Sequence, residues 1–214
     1  MSQSKPYEFQ DAEEIAHQLA DEKAELGKEF DERKTLDEII RKSVEKNTFR
    51  AFHHTRNPPS SVFRDWARAE LQSQNIINEL IGIDSQLQYD EWLGEFSGRF
   101  SHIWQNQMGD YIPYGPSRKL PNLLLKQFVK WDELSSIQRI NLLNYLHVPL
   151  DSYTLVGIRN CVSDPEIPKT PTMKFVQNEM MYNQIQKAIR DIAYKARVPA
   201  IYFDILAWDK AHPQ

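Results

Sequence analysis

Lys119 and Asp151 are the two residues whose types and settings best suit covalent chemistry at an electrophilic carbon. Lys119 stands in IPYGPSRKLPNLLLKQF (112–128). There Leu123, Leu124 and Phe128 mark the buried side of a helix, while Asn122 and Lys126 lie close to the row of Lys119. Apolar neighbours at a helix start favour the neutral amine, which attacks carbon and forms a Schiff base. The plainer alternative is a surface lysine whose stem lies on the core. Asp151 stands in HVPLDSYTLVGIR, at the start of a second helix. It suits an N-cap, and equally a carboxylate that stabilises developing positive charge or manages a proton. Ahead of Lys119, Gly115 offers a tight turn whose following amides open a helix and suit a DNA phosphate. An ordinary inter-helix turn is the competing reading.

The elements that must position these residues are helical. Periodicity predicts helices over 8–30, 36–46, 62–80 (capped at Ser60-Ser61), 119–131, 137–145, 152–162, 173–196 and 199–211. Phe63, Trp66, Ala67, Leu71 and Ile77 share one face, and Trp92, Phe96, Phe100, Ile103 and Trp104 form another apolar stripe. The one short β-like piece is near Val148. Seven glycines in 214 residues suit helices with few hairpins. The fold class is therefore all-α. The chain reads as one helical domain with an acidic part (1–110) and a part carrying the chemistry (111–214). Two helical lobes around a cleft fit this pattern, although no linker marks a boundary. Proline-rich loops fall at 53–61 and 164–172.

Composition narrows the function classes. Hydrophobic residues make up 41% and charged residues 26%, so a folded protein is expected. No apolar run reaches the ~18 residues of a spanning helix, and the first residues lack the apolar region of a signal peptide. A cytoplasmic protein is expected, with no membrane partner. The single cysteine, Cys161, excludes an intramolecular disulfide and a cysteine-held metal centre. The net charge of −4 hides an uneven spread. Residues 1–47 carry 13 acids and 8 bases, 48–110 carry 8 and 5, and 111–214 carry 9 acids and 13 bases. Phosphate binding depends on a local basic surface, so the C-terminal half is the one suited to DNA.

Two stretches resemble the helix-hairpin-helix DNA glycosylases of the endonuclease III superfamily. GPSRKLPNLLL (115–125) resembles the second half of the hairpin motif with its catalytic lysine, and VPLDSYTLVGIR (148–159) resembles the signature around the catalytic aspartate. IYFDILAWDKA (201–211) is similar to the last core helix of that fold. Ser117 stands where the hairpin has its second glycine, and Tyr153 where the family often has histidine. Thirty-two residues separate Lys119 from Asp151, a long interval similar to that of the archaeal branch excising 8-oxoguanine. The resemblance covers roughly 112–210. It implies a glycosylase with AP lyase activity on double-stranded DNA carrying a modified base, acting as a monomer and nucleoid-associated in a prokaryote. Lys119 would be the nucleophile and Asp151 the catalytic carboxylate, with no cofactor and no metal.

Further DNA contacts are expected from Arg118 and Lys126 beside the anchor at Gly115 and Ser117. Gln74 could fill the gap left by an extruded base, and His54 could touch a phosphate or the base. Trp66, Trp92, Trp104 and Trp131 suit the core better than base stacking. The rival function is a non-enzymatic helical interaction module, in which Lys119 is structural and Asp151 only a cap.

Overall fold

Helix starts follow the capping chemistry of the sequence. In this computed structural model, which describes residues 5–44, 48–49, 52 and 57–212, Asp11 caps α1 (Ala12–Asp21) by accepting from the amides of Glu13 and Glu14. A short α2 (Lys23–Lys28) follows, so the expected 8–30 helix is broken at Glu22. Thr35 and Glu38 form a reciprocal capping box on α3 (Leu36–Lys42). The 62–80 helix is two elements, α4 (Pro59–Leu71) and α5 (Gln74–Ile81). Pro59, not Ser60-Ser61, opens α4, because proline fits the first helical position where no amide bond is needed.

Ser85 caps α6 (Gln86–Met108), which ends at Gly109 in the left-handed region with φ 82°. Without a Cβ, glycine enters that region freely, and this residue makes the turn into α7 (Tyr114–Phe128). The turn is therefore at Gly109, and Gly115 lies in the first turn of the next helix. After it come α8 (Ser136–Tyr145), α9 (Ser152–Ile158), α10 (Glu179–Ala196) and α11 (Tyr202–Ala211). Single 3-10 turns occupy Arg159–Cys161 and Met173–Phe175. Among the described residues there is no strand beyond an isolated bridge between Lys34 and Trp131. The architecture is all-α. No described helix is long and apolar enough to cross a membrane.

The core falls into two clusters. One gathers α3 to α8, centred on Trp66 between Phe96 and Phe100, at ring separations of 4.9 and 4.7 Å. The other joins α1 and α2 to the segment from Val148 through α11. Packing thus divides the chain differently from charge: the acidic first helices belong with the C-terminal ones. Trp92, Phe96, Phe100 and Trp104 are buried as their stripe predicts, while Ile103 stays partly exposed. Trp66 and Trp131 are core residues too. Helix α7 sends Leu120, Leu124, Leu125 and Phe128 into the first cluster, and its polar side chains meet the second.

Candidate active site

Lys119 and Asp151 come together at the seam between the two clusters. Lys119 lies in the second turn of α7, five residues after Tyr114. Its Nζ is 3.4 Å from Asp151 Oδ2, and the two side chains are only 12% and 24% exposed. Asp151 divides its oxygens between two tasks. Oδ1 accepts from the amides of Tyr153 (2.9 Å) and Thr154 (3.2 Å) as the N-cap of α9, while Oδ2 faces the amine. Thr154 returns the bond, accepting from the Asp151 amide at 2.8 Å. The cap holds the carboxylate in one orientation, with a charged oxygen left over for Lys119. The two readings of Asp151 are geometrically compatible.

The rest of the seam is polar as well. Lys126 Nζ donates to Asp204 Oδ2 at 2.7 Å, with both side chains largely buried. Burial alone would lower the Lys126 amine, but the charge and hydrogen bond of Asp204 outweigh it and hold it above the ordinary lysine range. Burial pushes the Asp204 carboxyl up, as does the nearby Asp151 charge. Further along α7's C-terminal end, Lys130 pairs with Glu29, and burial lowers the Lys130 amine. Two apolar clusters thus meet through ion pairs contributed by α7 and Lys130 just past its end on one side and by Glu29, Asp151 and Asp204 on the other. Such pairs specify how surfaces fit more than they stabilise them.

Several expected DNA contacts are committed inside the protein. Gly115 is buried, and a Cβ there would meet the Met173 carbonyl oxygen at 1.9 Å. The glycine is required by the backbone crossing it, so it does not offer an open phosphate nest. Ser117 is buried and donates to the Tyr114 carbonyl at 2.7 Å. Arg118 donates to Tyr114 Oη (3.0 Å) and the Leu93 carbonyl (3.1 Å) and lies over the Tyr114 and Tyr182 rings. Lys126 is turned to Asp204. Gln74 is exposed at the start of α5, bonded to Asn78 at 2.9 Å, on an element that packs against α4. His54 lies outside the described residues.

Sequence reasoning passed over residues on the elements that carry the pair. Trp208 is 49% exposed, stacked on His212 at 4.0 Å and edge-on to Tyr153 at 5.0 Å, two residues from Asp151. Its signal was its place in the 201–211 helix. Buried His147, Tyr182 and Asn122 and half-buried Asp90 form a hydrogen-bonded chain whose members are too far apart in sequence to suggest one another. A separate cavity of about 550 Å3, bordered by Ala20, Phe30, Leu143 and Tyr202, includes neither Lys119 nor Asp151. Compared with protein-family models, with curated proteins and with solved structures, the chain matches none.

Proposed function

We propose that this chain is a base-excision DNA glycosylase with associated AP lyase activity, acting on duplex DNA that carries a modified base. The observation that carries this reading is the sheltered Lys119–Asp151 pair, 3.4 Å apart and brought together across thirty-two residues. The modified nucleotide is extruded from the stack, and Trp208, the exposed ring against Tyr153 at the start of α9, gives the base a face to stack on. The Lys119 amine, after giving up a proton, attacks the anomeric carbon as the base leaves with the C1′–N bond electrons. Asp151 stabilises cationic character on the sugar and takes up the proton. Ring opening gives an imine between Lys119 and C1′. Loss of the C2′ proton then expels the 3′ phosphate. The resemblance to the archaeal branch suggests oxidised guanine, and a modified base of foreign DNA is the alternative substrate.

Incubation with abasic-site DNA and borohydride tests the reading. The imine is reduced to a stable secondary amine, and a covalent protein–DNA complex is expected from the native protein. A folded protein that yields none overturns the lyase reading. One observation favours the rival interaction module: Ser117, Arg118 and Lys126 are all engaged within the protein. In that reading the Lys119–Asp151 contact is one more ion pair of the seam.

A further inference from the structure

Tyr182 of α10 links the two elements that carry Lys119 and Asp151. On one side, its hydroxyl accepts from Asn122 Nδ2 at 2.7 Å, and Asn122 lies one turn beyond Lys119 on α7. On the other, it is 2.9 Å from Nδ1 of His147, four residues before Asp151. His147 Nε2 in turn lies 2.7 Å from Asp90 Oδ1 and 2.9 Å from the Arg190 guanidinium nitrogen, so the ring is held through both of its nitrogens. Burial lowers the His147 imidazole, which favours the neutral ring.

The same face of α10 holds the chain leading to Asp151. Gln186, four residues after Tyr182 and fully buried, donates to the Val148 carbonyl at 2.7 Å and accepts from the Val148 amide at 3.0 Å. One side chain thus satisfies both backbone groups of a buried extended residue, as a neighbouring strand would. Arg190, four residues further, lies 2.9 Å from the His147 ring. On α7 the contacts recur with the same spacing. The Tyr114 ring lies edge-on to Tyr182, Arg118 covers both rings, and Asn122 reaches the hydroxyl. Positions 114, 118 and 122 of α7 thus all meet Tyr182, while 182, 186 and 190 of α10 meet the 147–148 segment, helical rows in which every fourth residue is used.

We infer that Tyr182 is a positioning residue that sets the distance between the Lys119 amine and the Asp151 carboxylate, by tying α7 and the 147–150 segment to one row of α10. The inference rests on the proposed chemistry for its consequence in catalysis but not for its geometry. Phenylalanine at 182 keeps the ring and leaves Asn122 and His147 without their shared partner. α7 and the 147–150 segment then lose the hydroxyl they share, leaving the Lys119–Asp151 contact and packing to hold them, and misplacement of a reacting group by about 1 Å costs on the order of a hundredfold in rate.

Two readouts separate this inference from the function it serves. The first needs no DNA: reductive methylation of the folded protein with formaldehyde, the rate at Lys119 being followed by peptide mass spectrometry relative to exposed Lys187. In the native background Asp151→Asn is expected to speed Lys119 labelling several-fold, because the amine loses its carboxylate. In Tyr182→Phe, labelling is already fast and Asp151→Asn adds nothing. An undiminished effect of Asp151→Asn in Tyr182→Phe overturns the inference, whatever the protein does to DNA. If Tyr182→Phe does not fold, Asn122→Leu cuts the same link from α7 and is held to the same result. The second readout is single-turnover strand cleavage at saturating abasic DNA. Tyr182→Phe is expected to lower the rate about ten- to a hundredfold with the half-saturating DNA concentration unchanged. A loss no larger than in Phe63→Leu, which weakens the other core cluster, overturns the positioning role. Absence of cleavage by the native protein would instead count against the glycosylase reading, leaving the labelling result to judge Tyr182.

Discussion

Replacing Gly115 by alanine separates packing from phosphate binding at the residue where the two readings differ most. The new Cβ would lie 1.9 Å from the Met173 carbonyl oxygen, 3.0 Å from the Met173 carbonyl carbon and 3.1 Å from the Val176 carbonyl oxygen. All three are backbone atoms, so no side chain can rotate away. Restoring ordinary contact at 3.4 Å moves the Met173–Phe175 turn against α7 by about 1.5 Å. Overpacking of this kind costs typically 1–3 kcal/mol, and backbone obstruction puts Gly115→Ala at or above the upper end. Alanine's better helix propensity returns up to about 1 kcal/mol. The net expectation is a loss of about 2 kcal/mol, which for a chain of this size lowers Tm by about 4–8 °C. Thermal unfolding followed by circular dichroism reads this directly. An unchanged Tm together with weakened DNA binding would refute the packing argument and return Gly115 to the phosphate anchor.

Asp151→Asn keeps a capping oxygen and loses the charge facing Lys119. The cap is retained but the sheltered Lys119 amine loses its partner, so urea unfolding is expected to show a loss of about 1–3 kcal/mol, with base excision slowed by orders of magnitude in single-turnover assays. Lys126→Met leaves Asp204 buried without its partner and is expected to cost about 3–5 kcal/mol, most of it recovered by adding Asp204→Leu. The salt dependence of DNA affinity should not change in that double variant, since Lys126 is engaged internally. His147, depressed below its unfolded value of 6.5, gives a defined pH response. Its contribution to stability is complete above pH 6.5 and is lost as pH falls, because the unfolded chain takes up a proton that the folded one refuses. Tm should therefore fall on acidification below that point, and His147→Gln should flatten the slope there.

Local chemistry was legible in the sequence, and distant partners were not. The stripe Trp92, Phe96, Phe100, Trp104 announced α6 because helix burial repeats at three- and four-residue spacing. Asp151 declared itself as a cap through its neighbours, and Lys119 through its place on an apolar helix. Gly115 was misleading because its close neighbour, the Met173 backbone, arrives from fifty-eight residues away. Lys126 looked like a phosphate contact for the same reason: Asp204, which claims it, is seventy-eight residues on. Glycine just after a helix and glycine just inside one also look alike in sequence, so the turn was assigned to Gly115 although Gly109 makes it. The near-strand at Val148 was a real extended segment, but a glutamine side chain, not a second strand, satisfies it.

The central claim is that Lys119 is the nucleophile. Its most direct measurement is the location of the covalent bond after borohydride reduction on abasic DNA. Nuclease digestion of the trapped complex followed by peptide mass spectrometry should find the sugar remnant on the Lys119 side chain alone. Lys119→Gln should still bind the DNA and give no trapped complex. A remnant on another lysine or on the terminal amine, or undiminished trapping by Lys119→Gln, would contradict the claim.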